Sequence, residues 1–179
     1  MRESPRHVSV IIPARNEERL LRRCLHSVVA ALEALSRETT SDVVIAVDSS
    51  TDRTLEIAKR EIKARGIAVR TDAGTVGGAR AVATEIALQR YIGPRNSCWL
   101  ANTDADCVVP PSWLTGQLLL AANKADAVAG TVDVDSFEEH LPIVKERFRS
   151  TYLIDSDGTH SHVHGANLGF RADIYLRAG

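Results

Sequence analysis

The chain has 179 residues, 44% of them hydrophobic, with 22 Lys plus Arg against 23 Asp plus Glu and a net charge of −1. That length suits a single core, which usually spans about 100–200 residues. The balanced charge excludes the basic field that nucleic acid or an anionic membrane surface demands.

Residues 8–12, VSVII, form a short β-branched strand that the missing N–H of Pro13 is expected to end. Leu20, Leu21, Cys24, Leu25, Val28, Val29, Leu32 and Leu35 then recur at helical steps, predicting an amphipathic helix over 17–36 with Asn16 and Glu17 at its positive end. A second strand covers 43–47, capping residue types follow at 49–52, and Leu55, Ala58 and Ile62 mark a helix closed by Gly66. Residues 67–69 read as a third strand. After Gly74, Gly77 and Gly78, the positions Ala79, Val82, Ala83, Ile86 and Ala87 make another helix, and 98–101 is the fourth strand. Pro110 and Pro111 open a helix through Leu120, and 127–129 begins a fifth strand. Leu141, Val144 and Phe148 suit one more helix before a polar tract at 155–169. Strands alternating with helices require crossover connections. The expected fold is therefore α/β, three layers, with a mainly parallel sheet and helices on both faces, as one domain over 1–179.

Such sheets bind ligands beyond the carboxyl ends of their strands. Pro13, Ala14, Arg15, Asn16 and Glu17 follow strand one, Asp48 to Asp52 follow strand two, and Asp104-Ala105-Asp106 follows strand four. On a tight turn Asp104 and Asp106 both approach one cation, and oxygen-only ligands suit Mg²⁺ or Mn²⁺. Taken alone, Asp-x-Asp reads as a capped turn with solvated charges. Asp48 reads equally as an acceptor for a base or ribose and as a turn carboxylate. The run from Gly74 through Gly78 to Arg80 lets backbone approach an anion near a helix N-terminus. It matches neither G-x-G-x-x-G nor the P-loop, which counts against NAD dehydrogenases and P-loop ATPases. His160, His162 and His164 alternate, so an extended segment puts them on one face, as metal ligands or as a solvated surface.

The succession VSVIIPARNEE, VVIAVDSSTDRT, GGAR, NTDADC and HGANLGFRADIY resembles the GT-A-fold glycosyltransferases of the family-2 type, which use nucleotide-diphosphate sugars. The resemblance covers residues 8 to 179. It implies a glycosyltransferase that moves a sugar from a nucleotide-diphosphate donor to an acceptor hydroxyl with Mn²⁺ or Mg²⁺, inverting the anomeric carbon. By position, Pro13, Ala14, Arg15, Glu17, Asp48, Gly78, Arg80 and Asp104 are implied at the nucleotide. Asp106 is implied as direct metal ligand, with Asp104 at ribose or metal, and His164, ahead of His162, as a third ligand. Gly165, Ala166 and Asn167 are implied beside donor sugar or acceptor. Many relatives carry a second acidic residue where this chain has Ser49. The catalytic base is expected beyond Gly179, in a chain truncated at its C-terminus, with Asp155 and Asp157 as internal candidates. The alternatives are a nucleotide-sugar binding module without turnover and a sugar-phosphate nucleotidyltransferase, although PARNEE lacks the glycine-rich loop of the latter.

Cys24, Cys98 and Cys107 are odd in number and widely spaced, unlike a disulfide framework, so a reducing cytoplasm is the expected location. No apolar run approaches the ~18 residues of a membrane span, and peripheral membrane association stays open. The acceptor and the oligomeric state have no signature.

Overall fold

The computed structural model describes residues 4–134, 141–152, 155 and 159–178. Its strands are β1 (His7–Ala14), β2 (Thr40–Asp48), β3 (Gly66–Thr71), β4 (Cys98–Asn102), β5 (Ala127–Ala129) and β6 (Leu168–Arg171), ordered β3-β2-β1-β4-β6-β5 in one sheet. The first four are parallel, whereas β6 runs antiparallel to both β4 and β5. The sheet is thus mixed, with its parallel part in the centre.

Helices α1 (Leu21–Glu33), α2 (Thr54–Ile62) and α4 (Trp113–Ala122) cover one face, where Leu21, Leu25, Val28, Ile57 and Leu114 pack on Val8, Val10, Ile12, Val43 and Ile45. Helix α3 (Val76–Arg90) and α6 (Ala172–Ala178) cover the other, where Ala79, Ala83 and Ala87 lie on Ile11, Val44 and Ala46. Alanines four apart give α3 a flat stripe that brings its backbone close to the sheet. Helix α5 (Pro142–Thr151) stands apart from both cores, with Leu141, Ile143 and Val144 exposed. The three-layer expectation holds.

Three local expectations need correction. Strand β1 runs through Pro13 and Ala14, which pair with Ala46 and Val47. The carbonyl of Ile11 accepts from Thr103 N and so faces β4, and Pro13, two residues on, turns its missing N–H to the same side. Pairing with β4 has ended there at Ile11 and Asn102, so no ladder bond is lost.

Helix α1 begins at Leu21, and no side chain caps it. The residues expected to cap it serve a different contact. Asn16, left-handed at φ 54°, donates its N–H to Ser50 Oγ at 3.0 Å and accepts from Thr51 N at 2.9 Å. Glu17 N donates to Thr54 Oγ1 at 2.8 Å and Glu18 N to Asp52 Oδ2 at 3.1 Å. The loops after β1 and β2 are laced together.

Gly66 opens β3 rather than closing α2, which ends in a 3-10 turn at Lys63–Arg65. A Cβ at Gly66 would overlap the Val43 carbonyl. Glycine is required by this close approach. Gly66→Ala is expected to lower stability by about 1–3 kcal/mol through overpacking, seen as a lower urea midpoint with an unchanged slope.

Candidate functional site

Parallel register brings the loops to one level. Ala14 pairs with Val47, so Asp48 sits one step above it, and Ile11 pairs with Asn102, so the acidic turn rises beside Pro13. Between these loops and the N-terminal end of α3 lies a cavity of about 270 Å³. Its walls include Pro13, Ala14, Arg15, Glu17, Asp48, Asp104 and Asp106, together with Gly74, Thr75, Val76, Ala79 and Ala105. Val76, Ala79 and Ala105 carry no sequence signal of such a position, since they are apolar residues exposed to the cavity only by tertiary geometry.

Asp48 is buried, and its Oδ1 accepts the Gly74 N–H at 3.2 Å. Gly74 has φ 74°, a left-handed conformation that glycine adopts without a Cβ penalty. Ser49 turns its hydroxyl to Asp72 Oδ1 at 3.3 Å. Thr75 caps α3 by accepting from Gly78 N at 3.1 Å, so Gly78 lies in the first helical turn and outside the cavity lining.

Arg80, one turn into α3, places Nη2 2.5 Å from Asp104 Oδ1. Gly165, in the 3-10 turn Gly165–Asn167, covers that guanidinium: a Cβ there would come within 2.7 Å of its central carbon. Arg80 Nε is buried without a partner. Burial pushes the Asp104 carboxyl above its ordinary range, Arg80 pulls it back, and Asp106 raises it again. Asp106 itself is exposed. Glu17 is raised by burial and by the neighbouring carboxylates of Asp106, Asp52 and Asp104. The site is an acidic cluster with a cation on one side.

Cysteines surround the same turn. The Cys24 thiol donates to Asp104 O at 3.4 Å, and Cys107 N donates to that oxygen at 3.1 Å. Burial pushes both thiols up to about 12, so neither presents a thiolate nucleophile near neutral pH.

The alternating histidines share a face as expected, stacked with Tyr152 of the α5 end. Ring centroids are 4.6 Å apart for Tyr152 and His162, 5.5 Å for Tyr152 and His164, and 5.8 Å for His162 and His164. His164 Nε2 is buried without a partner. Among the described residues, no three His, Cys, Asp or Glu side chains are grouped closely enough to hold a metal. Ala166 is half-buried, and the Asn167 amide is engaged with the Trp113 and Gln117 side chains. Asp155 is exposed, away from the cavity lining, and Asp157 lies outside the described residues.

The model of glycosyl transferase family 2 matches residues 9–177. The chain belongs to this family. Among solved structures, it is similar to a mannosyltransferase from Pyrobaculum calidifontis in complex with GDP-Man and Mn²⁺, at 20% identity and TM-score 0.68, over 99% of this chain and 47% of that one. It is also similar to S. aureus TarS 1-349 in complex with UDP, at 18% and 0.64, over 96% and 48%. A third is glucosyl-3-phosphoglycerate synthase from Mycobacterium tuberculosis with UDP, at 18% and 0.56, over 94% and 58%. The chain spans about half the length of the first two. These likenesses fix the family's GT-A fold. No curated protein matches the chain. Among the described residues, no helix is long and apolar enough to cross a membrane.

Because Glu17 holds its proton more tightly folded than unfolded, its contribution to stability falls as pH rises above its ordinary value of 4.5 and through the raised folded value. Glu17→Gln removes that deficit. The variant is expected to melt higher than the parent at pH 7, with the difference vanishing near pH 4, in paired thermal melts.

Proposed function

We propose that the chain is the donor-binding part of a metal-dependent glycosyltransferase that uses a nucleotide-diphosphate sugar, Mn²⁺ or Mg²⁺, and inversion at the anomeric carbon. The observation that carries this reading is one cavity with Asp48 on one wall and Asp104 and Asp106 on another, closed by the capped N-terminus of α3. Asp48 keeps Oδ2 for a base or ribose donor, since Oδ1 is occupied by Gly74. The N-terminal end of the 15-residue helix α3 favours negative charge, Arg15 lines the space for a diphosphate, and Arg80 lies behind it, paired with Asp104.

Asp104 and Asp106 fit a hard cation. They are two carboxylates one residue apart, at a site with room for phosphate oxygens and water, which is how Mg²⁺ and Mn²⁺ are commonly held. When bound, such an ion offsets the charge that gathers on the departing nucleoside diphosphate, worth several kcal/mol. Arg80 works against the effect of burial on Asp104 and favours its ionised form, and Gly165 leaves room for the guanidinium to do so. His164 directly precedes Gly165 and carries a buried ring nitrogen, Nε2, without a hydrogen-bond partner. An acceptor hydroxyl attacks from the face opposite the leaving diphosphate, passing its proton to a carboxylate base.

Thermal stability across nucleoside diphosphates and their sugars, with and without Mn²⁺, tests this. A ligand near 100 times its dissociation constant adds about 2.7 kcal/mol. Asp106→Ala is expected to lose the Mn²⁺-dependent part of that gain while melting normally unliganded; an identical response in parent and variant would sink the assignment.

A further inference from the structure

The resemblance implies Asn167 beside donor sugar or acceptor, and its amide is engaged inside the protein. Oδ1 accepts from Trp113 Nε1 at 2.9 Å and from Gln117 Nε2 at 3.3 Å, while Nδ2 donates to Thr131 O at 2.9 Å. An indole N–H only donates and a carbonyl only accepts, so the chemistry of these partners fixes which end of the amide is which. The main chain is also engaged: Asn167 N donates to His164 O at 3.0 Å, and its carbonyl accepts from Gly130 N at 2.8 Å. Gln117 in turn accepts from Trp99 Nε1 of β4 at 2.7 Å. Trp99, Trp113 and Gln117 are all buried.

The network is closed by two glycines. A Cβ on Gly130 would lie 2.5 Å from Asn167 Cγ, and one on Gly169 would lie 2.6 Å from Trp99 Nε1. Backbone therefore packs directly against the amides. The network also joins two pieces of the candidate site. Trp113 opens α4, a short loop beyond Asp106, whereas Asn167 ends the turn whose first residue, Gly165, covers the Arg80 guanidinium paired with Asp104.

We infer that Asn167 is a positioning residue, which clamps the start of α4 to the Gly165 turn and thereby sets the carboxylate and diphosphate half of the site without touching the sugar. The inference rests on the donor and metal reading above. Residues on the opposite wall, Asp48 and Arg15, lie outside the clamp, so base and ribose binding are independent of it.

The test is Asn167→Leu, close in volume and without hydrogen-bonding groups, with UDP, GDP, UDP-glucose and GDP-mannose each titrated with and without Mn²⁺. Metal-free affinities are expected to stay within about twofold, while Mn²⁺-dependent affinity falls about 10- to 100-fold, the usual effect of removing partners that orient metal ligands. The fall is expected to be equal for bare diphosphates and sugar nucleotides. Loss confined to the sugar nucleotides would instead make Asn167 a sugar contact, and no loss, or equal loss with and without Mn²⁺, would also overturn the inference. Both tryptophans of the chain lie in the network, so indole emission reports directly whether it has been disrupted. If Asn167→Leu does not fold, Trp113→Phe decides: it removes one of the two donors to Oδ1, and the same pattern is expected at about threefold. Absence of Mn²⁺-dependent binding in the parent protein would refute the function itself, an outcome separable from any behaviour of the variants.

Discussion

The register of β1 between β2 and β4 is the constraint on which the site depends. A strand shifted by one residue turns every side chain to the opposite face. Here β1 sends Val8, Val10 and Ile12 to the core under α1 and Ile11 to the core under α3, so a slip would put each into the wrong layer. Because the register is held by burial along the whole strand, the loops beyond it are carried to fixed heights. Asp48, Arg15 and the acidic turn meet as a consequence of packing several residues below them.

That arrangement gathers like charges at a cost. The neighbouring carboxylates raise the tendency of Glu17 and Asp104 to stay protonated, and at Asp104 the Arg80 guanidinium opposes this. The loops bear the repulsion because they are tied elsewhere. The Asn16 and Glu18 amides bond to side chains of the loop after β2 and the Glu17 amide to Thr54 at the start of α2, which is fully buried with its hydroxyl also bonded to Asp52. A backbone pinned by side chains from another loop cannot relax away from its own carboxylates. The site is thereby prepared for positive charge before any ligand arrives.

Much of this was legible in the sequence, for a specific reason. Apolar periodicity identifies helices and strands wherever one face is buried, and polar residues directly after apolar strands mark the rim, which is why Asp48, Asp104 and Asp106 stood out. Pro13 was misread because the local rule about a missing donor does not know where the neighbouring strand ends. Gly66 was misread because glycine signals both a helix end and a close backbone approach. The lacing of Asn16 to Ser50 and Thr51 joins residues far apart in sequence, and no local pattern encodes it. Asn167 was placed beside substrate by resemblance, whereas its partners come from α4 and from Thr131, which only the folded chain brings together. The His160, His162 and His164 alternation correctly indicated one face, but not that Tyr152 stacks there.

The antiparallel strand β6 has a consequence for how the chain must assemble. It lies between β4 and β5, yet among the described strands it is the last to leave a ribosome. Until Leu168 to Arg171 arrive, β4 presents an open edge ending in the fully buried Asn102, and β5 has no neighbour in the described sheet. An exposed edge of this kind is a template for pairing with another chain, and closing it late requires a long loop to be ordered first. The parallel centre can form early from nearby segments, while the edge beside the acidic turn waits until residues 168–171 have been made. Among the six described strands, the order of translation makes the edge beside the acidic turn the last to be secured.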